Sequence, residues 1–144
     1  MRGQNLSLRS LSWERVEMTT ARILVVDDVP VVGIGLQREL SLEGYCVELA
    51  FSGKQALEIA LKKSFDLILI DLIMPNMNGI EVCKALKSIN RDAVLVYMTG
   101  RKDMKDKELE FVKAGGKAEG LYKPFEEGQV LEITRRILSP KGKA

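Results

Sequence analysis

Apolar residues in this chain gather into short continuous runs, and between the runs they recur at helical spacing, so that strand and helix patterns alternate five times. Ile23-Leu24-Val25-Val26 predicts a buried strand over 23–26 that ends on Asp27-Asp28. Val29-Pro30 then opens a helix, proline being tolerated in a first turn, and this helix runs to about Glu43 and stops at Gly44. The next strand is predicted over 45–49. A second helix follows over 53–63, with Ser52 as its N-cap and Ala56, Leu57, Ala60 and Leu61 on one face. Leu67-Ile68-Leu69-Ile70 is a third buried strand that ends abruptly on an acid, Asp71, before a Met-Pro-Asn-Met-Asn-Gly turn. Ile80, Val82, Cys83 and Leu86 mark the third helix. The fourth strand, over 93–98, ends on Thr99-Gly100. A charged helix over 104–114 follows, with Leu109, Phe111 and Val112 apolar and Gly115-Gly116 as its stop. A short strand over 119–122 leads through Lys123-Pro124-Phe125 into a last helix that reaches about Leu138. This alternation predicts an α/β fold with a parallel sheet covered on both faces.

The ends lack that pattern. Residues 1–20 scatter Leu among Ser, Arg and Asn and predict a flexible extension, with Met18 an alternative start; 21–139 form the domain and 140–144 a tail. After Leu138 only six residues remain, so no output domain is expected in this chain. A length of 144 residues suits one domain with its own core. No apolar run approaches the roughly 20 residues of a membrane span. The formal charge of +2 gives no argument for direct nucleic-acid binding. Cys46 and Cys83 are expected to fill the core rather than form a bridge, with a cytoplasmic setting as the default. Histidine is absent, which removes Ser-His and Cys-His nucleophile systems, His-based zinc sites and a phosphohistidine donor.

Polar groups sit at four of the strand ends: Asp27 and Asp28, Asp71, Thr99 and Lys123. Right-handed crossovers bring those ends to one edge of the sheet, where ligands of open α/β sheets collect. At an effective dielectric near 20 and roughly 5 Å, each pair of carboxylates there repels by about 3 kcal/mol, so a cation is required. A divalent ion together with Lys123 balances three carboxylates. All-oxygen donors point to Mg2+ rather than zinc. Mg2+, a carboxylate, a lysine and a hydroxyl are what phosphoryl transfer to an acid uses.

ILVVDDVP, DLILIDLIMPNMNG, the strand-end Thr99 and KPF at 123–125, in this order, resemble the receiver domain of two-component response regulators. The resemblance covers residues 22–138, and the single-domain chemotaxis regulator has the nearest architecture. It implies a flavodoxin-like (βα)5 three-layer sandwich with a five-stranded sheet of order 2-1-3-4-5. It also implies that Asp71 is the phosphoacceptor, Thr99 the switch hydroxyl and Lys123 the phosphate-binding lysine, with a cis bond before Pro124. Mg2+ is then held by Asp28, Asp71 and the backbone carbonyl of Ile73, with Asp27 acting largely through water. The chain is expected to be a signalling switch rather than an enzyme, though it carries Mg2+-dependent self-phosphorylation and autodephosphorylation chemistry. A sensor histidine kinase or histidine phosphotransfer protein would donate the phosphoryl group. A protein-binding surface over 102–138 would respond to it, toward an unknown downstream target, with a homodimer left open.

Two positions depart from the pattern. Gly100 stands where Ala is common and keeps the position small. Gly120 stands three residues before the lysine, where the family usually has Tyr or Phe, and neither Tyr97 nor Tyr122 obviously substitutes; Tyr122 should point away from the Lys123 face. The expectation is that the signal travels mainly through the loop from Thr99 to Asp103. Ile73, two after Asp71, cannot orient an attacking water, and Arg101, two after Thr99, could reach or screen a phosphoryl group. Two other readings are weighed. An Mg2+-dependent aspartyl phosphatase or phosphomutase of the haloacid-dehalogenase type needs Asp-x-Asp after the first strand, whereas this chain has adjacent Asp27-Asp28. A phosphorylation-independent interaction module of receiver type finds support only in Gly120. Ser52-Gly53-Lys54 fails the nucleotide-loop pattern and is read as a helix start.

Overall fold

The structure, a computed structural model, describes residues 20–75 and 79–139. The expected extension over 1–20, apart from its last residue, the tail over 140–144 and the middle of the Met-Pro-Asn-Met-Asn-Gly turn lie outside the described residues. Strands β1 (Arg22–Val26), β2 (Cys46–Ala50), β3 (Leu67–Asp71), β4 (Val94–Thr99) and β5 (Gly120–Tyr122) alternate with helices α1 (Pro30–Ser41), α2 (Gly53–Lys62), α3 (Gly79–Ile89), α4 (Lys105–Lys113) and α5 (Gln129–Leu138). All neighbouring strands pair in parallel, in the order β2-β1-β3-β4-β5. This is the flavodoxin-like arrangement predicted above.

Strand alternation divides the core in two. Leu24, Val26, Ile68, Ile70, Leu95 and Tyr97 face α2, α3 and α4 and pack on residues such as Ala56, Val82 and Phe111. Ile23, Val25, Leu67, Leu69, Val96 and Met98 face the other way, onto Leu36 and Leu40 of α1 and Val130 and Ile133 of α5. Both faces of the central strand β3 are thus covered, and all five of its residues are buried. Continuous apolar runs replace alternation in the inner strands β1, β3 and β4 because both of their faces are covered.

Local chemistry sets the ends of the elements. Ser52 caps α2 by accepting a hydrogen bond from Gln55 N at 3.1 Å, and Gln55 returns one by accepting from Phe51 N at 2.7 Å. Pro30 occupies the first turn of α1 as predicted. Gly79 opens α3 where the helix crosses close to the end of β3. A Cβ there would lie 2.5 Å from the carbonyl oxygen of Asp71, so only glycine fits. The last helix begins later than the apolar pattern suggests, at Gln129, because a loop follows the cis Lys123–Pro124 bond. One expectation for the cysteines fails. Cys83 is buried on α3, but Cys46 is exposed because it is the first residue of β2, the edge strand.

Candidate functional site

The carboxyl ends of β1, β3 and β5 converge on one charged cluster. β1 delivers Asp27 and Asp28, β3 ends on Asp71, and the three acids present oxygens within 4.8 Å of one another. Asp27 and Asp71 are buried and Asp28 half-buried. From the end of β5, Lys123 reaches back and donates a hydrogen bond to Asp71 Oδ2 at 3.2 Å. Its Nζ also lies 2.6 Å from Asp27 Oδ2, an ion-pair contact that leaves this buried oxygen without an aligned hydrogen-bond donor. The other oxygens are held by the backbone. Asp27 Oδ1 accepts from Val29 N at 2.9 Å, and Asp71 Oδ1 accepts from Ile73 N at 3.0 Å.

The electrostatics follow from burial and proximity. Burial raises the Asp71 pKa above its ordinary value; the Ile73 N–H and Lys123 only partly oppose it, and the Asp27 charge adds to it. For Lys123, burial pulls the pKa down, but contact with Asp27 and the charges of Asp71 and Asp27 outweigh it and hold the ammonium on. One ammonium faces three acids. The donor set is all oxygen, close together and partly buried, and one buried oxygen lacks an aligned donor. These residues fit a hard divalent cation.

The hydroxyl of Thr99, at the end of β4, is buried beside this cluster but turned to its own loop, where it accepts from Arg101 N at 3.1 Å. The Arg101 guanidinium is exposed and forked onto Asp103, at 3.2 and 3.0 Å. Deeper along β4, Tyr97 pairs in register with Gly120, and Thr99 with Tyr122. The space above Gly120 is filled: a Cβ there would lie 2.0 Å from the ring of Tyr97.

The sequence profile of the response regulator receiver domain matches residues 23–135. The chain belongs to the response regulator receiver family. Response regulator MprA of Mycolicibacterium vanbaalenii is 38% identical over 117 residues, covering 81% of this chain and 50% of that protein. The receiver therefore spans about half the length of the curated relatives it matches. Among solved structures, Vibrio cholerae chemotaxis protein CheY4 superposes with a TM-score of 0.75 at 32% identity, covering 82% of this chain and 98% of that one. A response regulator from Burkholderia pseudomallei, solved with a phosphorylated aspartic acid, a calcium ion and citrate, aligns with a TM-score of 0.73 at 28% identity, over 85% and 69% of the two chains.

In the receiver, then, Asp27, Asp28, Asp71 and Lys123 lie together as the strand ends predicted, while the buried Thr99 oxygen, at the end of the neighbouring strand, accepts from Arg101 N. Arg101 is drawn to Asp103 rather than to the acids. An apolar groove of about 500 Å³, lined by Val32, Gly35, Leu36, Lys123, Pro124 and Phe125, opens next to the lysine. Sequence reasoning missed the relation of Tyr97 to Gly120. The signal was there, because counting the parallel register back from Thr99 and Tyr122 places the two opposite each other. Among the described residues no helix is long and apolar enough to cross a membrane.

Proposed function

We propose that this receiver accepts a phosphoryl group on Asp71 from the phosphohistidine of a sensor histidine kinase or phosphotransfer protein, and that the modification switches a protein-binding surface. The observation that carries the reading is Asp71 at the end of β3, held by the Ile73 N–H and by Lys123 inside a three-acid cluster. A carboxylate oxygen forms the new O–P bond, the N–P bond to imidazole breaks, and its electron pair stays on the departing ring. An ionised acid needs no general base, so positioning and charge carry the reaction. Asp28, Asp71 and the Ile73 carbonyl would hold Mg2+, with Asp27 contributing through water. The ion supplies positive charge against the oxygens of the transferring group.

Lys123 already spans Asp27 and Asp71 and turns to the phosphoryl oxygens without leaving the cluster. The Thr99 oxygen only accepts from Arg101 N, so its O–H is free to donate to the phosphoryl group once the side chain turns toward Asp71. Shifting a two-state surface from about 1:99 to 99:1 requires roughly 5.5 kcal/mol. A few charge-assisted hydrogen bonds from Thr99 and Lys123 are of that order. The groove between α1 and Phe125 opens beside Lys123, a position suited to the phosphodonor protein, and the α4–β5–α5 face serves the downstream target. A cytoplasmic location accords with this chemistry.

Treatment with acetyl phosphate, with and without Mg2+, followed by intact mass, tests the reading. The expected result is a metal-dependent gain of one phosphoryl group that Asp71→Asn abolishes. No gain under any condition rejects it in favour of an interaction module that works without phosphate.

A further inference from the structure

Tyr97, Tyr122 and Glu108 form a polar chain between the sheet edge and α4. Tyr122 donates a hydrogen bond to Glu108 Oε2 at 2.6 Å, and the two tyrosine hydroxyls lie 3.2 Å apart. A phenol has one proton to give, so with that of Tyr122 committed to Glu108, Tyr97 is the donor to Tyr122. Burial, then the bond to Tyr122, holds the Tyr97 hydroxyl protonated well beyond the usual tyrosine range. The rings add a second grip. Tyr97 meets Phe111 of α4 edge-on at 5.4 Å and Tyr122 at 6.2 Å.

This chain stands where Gly120 removes the expected aromatic, and Gly120 is what admits it, since any side chain at 120 would displace the Tyr97 ring. It is also next to the switch. Tyr122 lies opposite Thr99 in the β4–β5 ladder, and Tyr97 shares a strand face with Thr99 two residues away. At the other end, α4 is held lightly. Phe111 is its one fully buried residue, and Met104 caps its N-terminus without a side-chain hydrogen bond. The loop from Thr99 to α4 is tied to this hydroxyl by the bond from Arg101 N to Thr99 Oγ1, so a turn of that oxygen toward Asp71 draws on the loop.

We propose that the Tyr97–Tyr122–Glu108 chain is a latch that holds α4 to the β4–β5 edge in the unphosphorylated receiver and opens when Thr99 turns to phosphorylated Asp71. The inference rests on the receiver reading and adds the element that carries its signal. As the Thr99 oxygen turns, residues 100–104 reposition with it, the start of α4 shifts, and the Tyr122–Glu108 bond breaks. A partner reading α4 would then meet a Glu108 carboxylate released to solvent and a helix free to move.

Amide hydrogen exchange over β3 and over residues 100–113, with and without acetyl phosphate and Mg2+, tests this in the wild type, Tyr122→Phe and Glu108→Gln, with phosphoryl gain followed by mass. In the wild type, phosphorylation should speed exchange in α4. Tyr122→Phe should show that faster exchange without phosphate and gain little more with it, while still taking one phosphoryl group; Glu108→Gln should shift the same way to a smaller extent. Unphosphorylated Tyr122→Phe with wild-type α4 protection, or an undiminished response to phosphate, overturns the latch alone. A wild-type chain that takes no phosphoryl group overturns the receiver reading and the latch with it. If β3 loses protection in Tyr122→Phe, the variant is unfolded and Glu108→Gln, altered only on α4, decides by the same two criteria.

Discussion

The two ends of this sheet edge are built on different physics. Around β1 and β3, Asp27, Asp28 and Asp71 with Lys123 form a site dominated by charge, where partners sit at hydrogen-bond distance and burial enlarges every interaction. Around β4 and β5, Tyr97, Gly120, Tyr122 and Phe111 form a site dominated by shape, in which one ring fills the room left by a missing side chain. On the charged side the acids and the lysine hold one another by sign, so charge sets which residue types fit. The packed side tolerates exchange, provided volume is conserved. A charged cluster is therefore specified by residue type and a packed one by volume.

Removing charge from the first region should have the largest effect. Mg2+ at 100 times its Kd should stabilise the wild type by about 2.7 kcal/mol. Asp28→Asn should lose most of that shift in a melting experiment; equal shifts in both proteins would show that the acids do not act as one ion site. Overfilling the second region comes next. Gly120→Ala should cost roughly 1–3 kcal/mol in denaturant unfolding, because its Cβ meets the buried Tyr97 ring. Adding Tyr97→Leu should recover part of the loss, a coupling that strictly additive variants would contradict.

A smaller change separates chemistry from transmission. Ile73→Asn places a polar side chain two residues after Asp71 and should speed loss of the phosphoryl group a few-fold, within about 1.4 kcal/mol of barrier. It should leave α4 exchange alone, and a slower or unchanged decay would remove Ile73 from the argument. The smallest effect is expected just outside the packed region. Arg136 binds Glu119 on the exposed surface, at 2.9 and 2.7 Å, and that hydrogen bond holds the Glu119 pKa below its ordinary value. A depressed carboxylate contributes stability above its unfolded pKa and loses it as pH falls through the folded one. Glu119→Gln should therefore cost about 0.2–1 kcal/mol at neutral pH. That difference should close on acidification below the ordinary glutamate range; a gap that persists in acid would mean that packing beside Gly120, rather than charge, sets the effect.

The amino-acid sequence by itself determined the alternation of strands and helices across the described domain, the acids at the ends of β1 and β3 and the lysine after β5, while the strand order was what the family resemblance implied. Apolar runs declare buried strands, and an acid or lysine directly after such a run has only the sheet edge to occupy. Boundaries moved by a residue or two, as at α1, because end turns are set by capping rather than by apolar period. The burial of Cys83 and the exposure of Cys46 were not separable in this way, since an edge strand reads like an inner one until its neighbours are known. Only the tertiary structure decided what Gly120 means. In the chain Gly120 is a missing aromatic, and in the fold it is the room that Tyr97 occupies. The difference arises because the parallel register sets Tyr97 opposite Gly120 across 22 residues of intervening chain, and a space between strands belongs to neither of them.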